Sequence, residues 1–216
     1  GKIVMDEEAE EMSNSLFINL VPKIWSKVFL SLKLLSSWLI DLNSRITFFQ
    51  NWVKSGKTPN TFWFSGFSFP QAFMTAVLQN HARATKTAID LLTFDFKIKD
   101  NIKPSDIKEK PEDGVYIYGM FLEGCRWDYD NHLLGDSFPK ELYTDVPLIH
   151  FIPQANREPP KTGVYFCPLY KVLSRYGTLS TTGHSTNYIL FVELPTDKAQ
   201  SKWIKAGVAM FLSLKQ

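Results

Sequence analysis

Glycine and proline are distributed unevenly along this 216-residue chain, and their positions limit what each part can fold into. Residues 1–96 contain three glycines and three prolines, whereas residues 114–216 contain eight glycines and seven prolines. Frequent glycine and proline mark turns between short strands, while long stretches without them allow helices. The sequence therefore predicts an α+β protein, in which N-terminal amphipathic helices precede a roughly six-stranded antiparallel β-barrel or sandwich.

A charged segment at residues 97–113 separates the two parts. It holds ten charged side chains, five of each sign, and two prolines. Such a composition is typical of a solvated linker whose own charge cancels. We therefore expect a helical subdomain at 1–96, a charged connector at 97–113 and an antiparallel β-barrel subdomain at 114–216.

The helical part carries one long apolar stripe after Pro22. Its members recur at steps of three and four: Ile24, Val28, Leu32, Leu35, Leu39, Leu42, Ile46, Phe49 and Val53. This period predicts an amphipathic helix, or two shorter ones, with the stripe packed on a core. The turn-forming residues 55–60 end it, and Pro70 suits the first position of a second helix. Residues 61–69 form either a buried strand or an extended aromatic plug.

Strand patterns dominate the remainder. Leu92, Phe94 and Phe96 alternate with polar residues, which predicts a half-buried strand. Six further strands are predicted at residues 115–122, 125–129, 146–151, 163–170, 188–194 and 208–214.

Composition excludes several classes of function. Lys and Arg number 24 against 22 Asp and Glu, a formal charge of +2, which argues against a nucleic-acid or anionic-membrane binder. The most apolar stretch, residues 28–42, is broken by Lys33 and Asp41, so nothing is expected to cross a membrane. Cys125 and Cys167 lie in no metal-binding or disulfide pattern, and we expect two buried, reduced thiols.

Two short motifs resemble catalytic ones. Residues 55–58, Ser-Gly-Lys-Thr, are like the end of a phosphate-binding loop, but Asn51 stands where that motif needs glycine, so an ordinary helix-ending turn is predicted. His184 and Ser185 suggest a base beside a nucleophile, although hydroxyl-rich residues around a glycine are more often turns. The four histidines, at 81, 132, 150 and 184, do not have the spacing of a metal site.

The polar cluster around Trp127 allows two interpretations. Glu123, Arg126 and Asp128 surround the indole in sequence and could complete an aromatic platform that binds a small molecule or a glycan. Alternatively, an ion pair and a stacked Arg–Trp contact hold a bulged hairpin.

Four longer stretches carry a resemblance to a known family. They are residues 62–83, which begin Phe-Trp-Phe-Ser-Gly-Phe-Ser-Phe-Pro; residues 113–128, with Phe-Leu-Glu-Gly and Arg-Trp-Asp; residues 177–187; and residues 203–209. In order and spacing they resemble the C-terminal domain of axonemal dynein heavy chains. Leu34 and Ala88 stand where that family often has proline, which weakens the expected helix break and would let the second helix run longer.

The resemblance implies a non-catalytic regulatory or structural domain that caps the AAA+ ring of an ATP-driven microtubule motor. It implies a first part that continues from the sixth AAA+ module, and no catalytic, cofactor or metal residue in this sequence. The implied partners are the ring of its own heavy chain and, in the full protein, microtubules and other dynein subunits, without nucleic acid or membrane. The implied location is the cytoplasm and cytoskeleton, in the axoneme of a cilium or flagellum.

A cap alters a motor only if it contacts the conformational states of that motor unequally. We therefore expect an exposed apolar or mixed patch on the helical half. Two alternatives remain at this point: a small-molecule or glycan-binding β-barrel module that uses Trp127, and a hydrolase that uses His184 and Ser185.

Overall fold

A computed structural model describes residues 6–175 and 186–215. Its helices are α1 (Glu7–Phe17), α2 (Lys23–Ser26), α3 (Leu35–Ser55), α4 (Pro70–Thr85) and α5 (Gln200–Lys205). Its strands are β1 (Thr61–Trp63), β2 (Leu92–Lys99), β3 (Val115–Tyr118), β4 (Phe121–Glu123), β5 (Arg126–Asp128), β6 (Leu133–Gly135), β7 (Tyr143–Asp145), β8 (Leu148–Ala155), β9 (Val164–Val172), β10 (Tyr188–Pro195) and β11 (Ala209–Ser213). The predicted α+β class is confirmed. None of the helices in these two ranges is long and apolar enough to span a bilayer.

The strands form three sheets. One has the order β1-β3-β8-β2, a second the order β10-β9-β11-β4-β7, and β5 pairs with β6. The β1–β3 and β11–β9 pairs are parallel, so the two larger sheets are mixed. Over the described residues the sheets do not close into a barrel, so the prediction of an antiparallel barrel or sandwich is confirmed only in part, in the sheet-rich character of this half.

The predicted strand at residues 115–122 is in fact two strands on different sheets. Gly119 lies between β3 and β4 with φ +83°, a conformation that favours glycine. A Cβ atom at this position would overlap the Trp63 ring, while the Ser65 hydroxyl donates to the Gly119 carbonyl oxygen. The break sends β3 to the four-stranded sheet and β4 to the five-stranded sheet.

The main core joins α4 and α5 to the sheets, and none of its described members lies on α1, α2 or α3. Its buried side chains come from α4, from both larger sheets, from the β5–β6 hairpin and from α5: Phe64, Met74, Ile117, Ile149, Phe151, Leu122, Trp127, Leu169, Leu194, Met210 and Trp203 among them. Strand β1 pairs in parallel with β3, and β2 pairs with β8 along its whole length. The helical half is thus joined to the sheets by backbone hydrogen bonds as well as by packing.

The boundaries of the main helices follow the sequence signals. Helix α4 begins at Pro70, as predicted, and α3 ends at Ser55 with Gly56 in the left-handed conformation. The apolar stripe is interrupted between α2 and α3 although Leu34 is not proline. Helix α4 ends at Thr85, so Ala88 does not lengthen it.

Strand β2 continues to Lys99, into the start of the expected connector. The sequence patterns also missed four elements: α1, α5, β6 and β7.

Candidate docking surface on the helical half

Helix α3 is capped at its start by a residue from a distant loop. The N–H group of Leu35 donates to the backbone oxygen of Asn19 at 3.1 Å, and that of Ser36 donates to Asn19 Oδ1 at 3.3 Å. Asn19 has φ +59°, which asparagine tolerates better than most residues. Because the first N–H groups of a helix have no partner within it, these contacts fix the start of α3 against the loop that follows α1.

The buried face of α3 is not the apolar stripe. The buried residues are Trp38, Asp41 and Arg45, each one position, or about 100° around the helix axis, from a member of the stripe. Ile46 is 43% exposed and Val53 is 80% exposed. The prediction that the stripe packs on the core is therefore wrong for these positions, whereas Phe49 is half-buried and packs on Phe67 with ring centroids 5.6 Å apart.

Arg45 is the charged centre of the buried face. Its Nε and Nη2 groups donate to Asp41 Oδ2 at 3.4 and 3.2 Å, and Lys33 Nζ lies 3.8 Å from the same oxygen. The guanidinium stacks on the Phe29 ring at 4.0 Å. Burial lowers the pKa of Arg45, and the charge of Asp41 offsets part of this effect. The sequence does contain a signal for this buried pair, because Asp41 and Arg45 are four residues apart, the spacing of a helical ion pair. The predicted buried face was based on apolar positions alone and therefore missed it.

Two N–H groups on this face have no acceptor in the part of the protein that the structure describes. They are Trp38 Nε1 and Arg45 Nη1. A buried donor without a partner costs about 1–3 kcal/mol. Trp38 stacks on Phe29 with ring centroids 5.1 Å apart and on Trp25 at 6.1 Å. Aromatic stacking on Trp38, together with the contacts of Lys33 to Asp41 and Phe29 to Arg45, therefore holds α2 and the residues after it over α3.

An apolar groove of about 520 Å³ runs beside α3. Its apolar lining is formed by Val28, Phe29, Leu42, Ile46, Phe49 and Val53. Arg45 and Lys54 also line it, and none of the described lining residues is a carboxylate. The groove therefore combines an apolar wall with positive charge.

The helical half also carries most of the exposed large hydrophobic side chains among the described residues. They are Leu16, Phe17, Ile18, Leu20, Ile24, Val28, Leu30, Leu34, Leu39, Ile40, Ile46, Val53, Phe69 and Leu91. This distribution agrees with the expected apolar patch on that half. A surface of this kind is typical of a domain that docks on another protein.

The turn at residues 55–58 is a helix end, as predicted. The single Ser55 hydroxyl proton has two acceptors within reach, the carbonyl oxygens of Trp52 at 2.7 Å and Lys57 at 3.0 Å, and the hydroxyl oxygen accepts from the Lys57 N–H at 3.2 Å. Gly56 has φ +62°. These local hydrogen bonds occupy the serine in closing α3.

Trp127 does not form an open platform. It is 3% exposed, and its indole Nε1 donates to Asp100 Oδ2 at 2.8 Å. Arg126 lies 3.9 Å from Asp128, which confirms the ion pair of the structural alternative, but its guanidinium stacks on Phe138 at 4.3 Å rather than on the indole. Burial of Trp127 removes the basis for a glycan-binding site.

The described histidines pair with carboxylates or backbone. His81 Nδ1 lies 2.8 Å from an Asp113 carboxylate oxygen, and His150 Nε2 lies 2.8 Å from the Asp113 carbonyl oxygen. Within residues 6–175 and 186–215 no group of three or more His, Cys, Asp or Glu is placed to hold a metal ion. The proposed pair His184 and Ser185 lies outside the described residues, as does most of the family stretch at 177–187.

Both cysteines are free and buried, as predicted. Burial raises the pKa of Cys125 to about 12, and the charge of Asp136 adds to the effect. Burial also raises the pKa of Cys167 well above its ordinary value. Both thiols are therefore held in their unreactive, protonated form.

Comparison with known proteins identifies the family. Residues 1–212 match the C-terminal domain of dynein heavy chains, and the protein belongs to that family. It is 52% identical over 215 residues to dynein axonemal heavy chain 1 of Rattus norvegicus, covering 99% of this sequence and 5% of the relative. It is 46% identical over 216 residues to dynein axonemal heavy chain 12 of Homo sapiens, covering 99% of this sequence and 7% of the relative. The resemblance found in the sequence is thus confirmed, and the 216 residues span less than a tenth of the length of these relatives.

Proposed function

We propose that this protein is a non-catalytic regulatory and structural domain of an axonemal dynein heavy chain, and that it caps the AAA+ ring of its own motor. The parent protein would be an ATP-driven microtubule motor in the axoneme of a cilium or flagellum. The observation that carries the proposal is the concentration of exposed apolar side chains beside α3. The resemblance found in the sequence implied a motor ring, and we propose that ring as the surface that covers them.

The proposed mechanism requires the domain to contact different conformations of the ring to different extents. The ring of an ATP-driven motor passes through several conformations, and a cap that contacted all of them equally would change no equilibrium between them. Phe48 and Trp52 on α3 pack against Trp63 and Phe62 of β1, which pairs with β3, so we infer that a force on α3 reaches the sheets. We infer that the domain stabilises some ring conformations over others by burying this face to different extents.

The experiment compares the parent motor with and without this whole domain. ATPase rate and microtubule gliding speed are measured on both proteins, and the separate 216-residue domain is then added back to the truncated motor. We expect truncation to change at least one of the two rates and the added domain to restore it in part. If truncation leaves both rates unchanged, the regulatory role is wrong.

A further inference from the structure

The groove beside α3 has a chemistry that limits what can occupy it. Its wall is apolar, so an occupant must bring apolar side chains to displace water. Its charged lining consists of Arg45 and Lys54, without a carboxylate among the described lining residues. A cationic or purely polar segment would therefore be disfavoured there.

Arg45 adds a second and independent observation. Its side chain is 8% exposed, it lines the groove, and its Nη1 group has no acceptor among the described residues. Its one carboxylate partner, Asp41, also lies near Lys33, so two cations share a single anion. Nη1 itself is buried, so a carboxylate in the groove would meet the excess of positive charge around Arg45 and Lys54 rather than that unpaired donor.

We propose that the groove receives an amphipathic segment of the motor ring that carries a carboxylate among its apolar side chains. The apolar side chains lie against Ile46 and Val53, and the carboxylate is directed toward Arg45 and Lys54. The ring is named as the occupant on the strength of the proposed function, and the charge complementarity of the groove specifies which kind of ring segment fits. A nucleic acid or another uniformly charged polymer would leave the apolar wall uncovered.

The test measures the affinity of the full 216-residue domain for the ring of its parent heavy chain, expressed without this domain. Ile46→Gln removes an exposed apolar contact in the groove, and we expect the dissociation constant to rise about tenfold or more. Lys54→Gln removes a rim charge, and we expect a rise of about two- to fivefold. The matched control is Ile204→Gln on α5, where the isoleucine is 64% exposed and lies outside the groove, so the affinity should not change.

The Lys54→Gln variant also tests whether the charge of Lys54 contributes to binding, which an effect on packing alone would not show. Added salt should weaken binding of the wild-type domain, and this salt dependence should be smaller for Lys54→Gln. Near-UV circular dichroism and thermal unfolding establish that each variant is folded. Both substitutions are at exposed positions, so folding should be preserved.

The outcomes separate the two proposals. If the wild-type domain does not bind the ring, the proposed function is wrong and this inference falls with it. If the wild-type domain binds and both Ile46→Gln and Lys54→Gln bind equally well, the capping role stands and the groove is not the contact. If sedimentation shows a dimer of the domain that Ile46→Gln dissociates, the occupant is a second copy and the ring assignment is wrong.

Discussion

Asp100 organises the hairpin that the sequence had suggested as a ligand site. Its Oδ2 atom accepts a hydrogen bond from Trp127 Nε1 at 2.8 Å and lies 2.6 Å from His132 Nδ1. The hydrogen bond with Asp100 raises the pKa of His132, and the charges of Asp100, Asp128 and Asp130 add to this effect. The polar groups around Trp127 thus stabilise the β5–β6 hairpin from within the protein.

The raised pKa of His132 makes the stability of the hairpin depend on pH. A folded-state pKa above the ordinary histidine value of 6.5 gives a contribution that is fully present below that value and is lost as pH rises through the raised pKa. His132 has φ +56°, so His132→Asn preserves the backbone and removes the titration. We expect the difference in unfolding free energy between wild type and His132→Asn to be larger at pH 6 than at pH 8.5, in urea unfolding.

Asp100→Asn provides the control for this pH dependence. Without the carboxylate, His132 loses the largest cause that raises its pKa, so this variant should show most of the loss of pH dependence seen in His132→Asn, with Asp128 and Asp130 retaining the rest. The effect should be small because His132 is largely solvated, with 56% of its side chain exposed. A difference that stays constant or grows with rising pH would contradict the assignment.

At the scale of elements, a glycine fixes the start of β3. Gly114 has φ +71°, and a Cβ atom there would overlap the carbonyl oxygen of Phe151 on β8. Gly163, just before β9, has a similar φ of +80° but no atom within 4 Å of such a Cβ. The two glycines therefore share the same backbone preference and differ in the space around them.

Alanine substitutions at Gly163 and Gly114 separate the energetic cost of backbone strain from that of steric overlap. We expect Gly163→Ala to lower the unfolding free energy by about 1–2 kcal/mol through left-handed strain alone. Gly114→Ala should cost at least about 2 kcal/mol more, because the β3–β8 pairing must also shift. Chemical denaturation measures both, and equal losses for the two variants would show that the overlap at Gly114 is relieved without cost.

Local sequence signals predicted the positions of the main helices well. The predictions failed where long-range contacts determine the structure. Pro70 and Gly56 mark helix ends through their own backbone preferences, so α3 and α4 were recognisable from the sequence. The sequence patterns did not show which face of α3 is buried. Asp41 and Arg45 are buried there as an ion pair, and a pattern based only on apolar residues ignores them. The division of residues 115–122 depends on the ring of Trp63 beside Gly119, and that neighbour is fixed only by the tertiary fold.

At the scale of the whole molecule, an ion-pair cluster links elements from both halves of the sequence. Arg157, after β8, donates through Nη1 and Nη2 to Glu193 on β10 at 2.7 and 2.6 Å. Its Nε donates to Asp95 on β2 at 3.0 Å. The Glu193 hydrogen bonds are the largest cause that raises the pKa of Arg157. Because β2 also pairs with β8, the helical half and the sheets are connected by both charge and backbone.

These connections predict that the protein unfolds as one cooperative unit. The indoles of Trp38 on α3 and Trp203 on α5 report the two halves. In the wild-type protein labelled with 5-fluorotryptophan, their separate 19F NMR signals should give coincident urea midpoints. The fragment of residues 1–113 should remain unfolded alone, because β1 and β2 lose their partner strands. Separate midpoints, or a folded fragment, would instead establish two independent subdomains.

Arg157→Met tests whether the ion-pair cluster couples the unfolding of the helical half to that of the sheets. Removing one partner of a nearly buried charge cluster should cost about 3 kcal/mol, and in a single cooperative unit both tryptophan probes should shift by the same amount. The control is Lys23→Met, which removes one exposed contact to Glu11 and should cost less than about 1 kcal/mol. A shift at Trp203 without one at Trp38 would mean that the helical half unfolds independently, and a load at the α3 groove would then not reach the sheets.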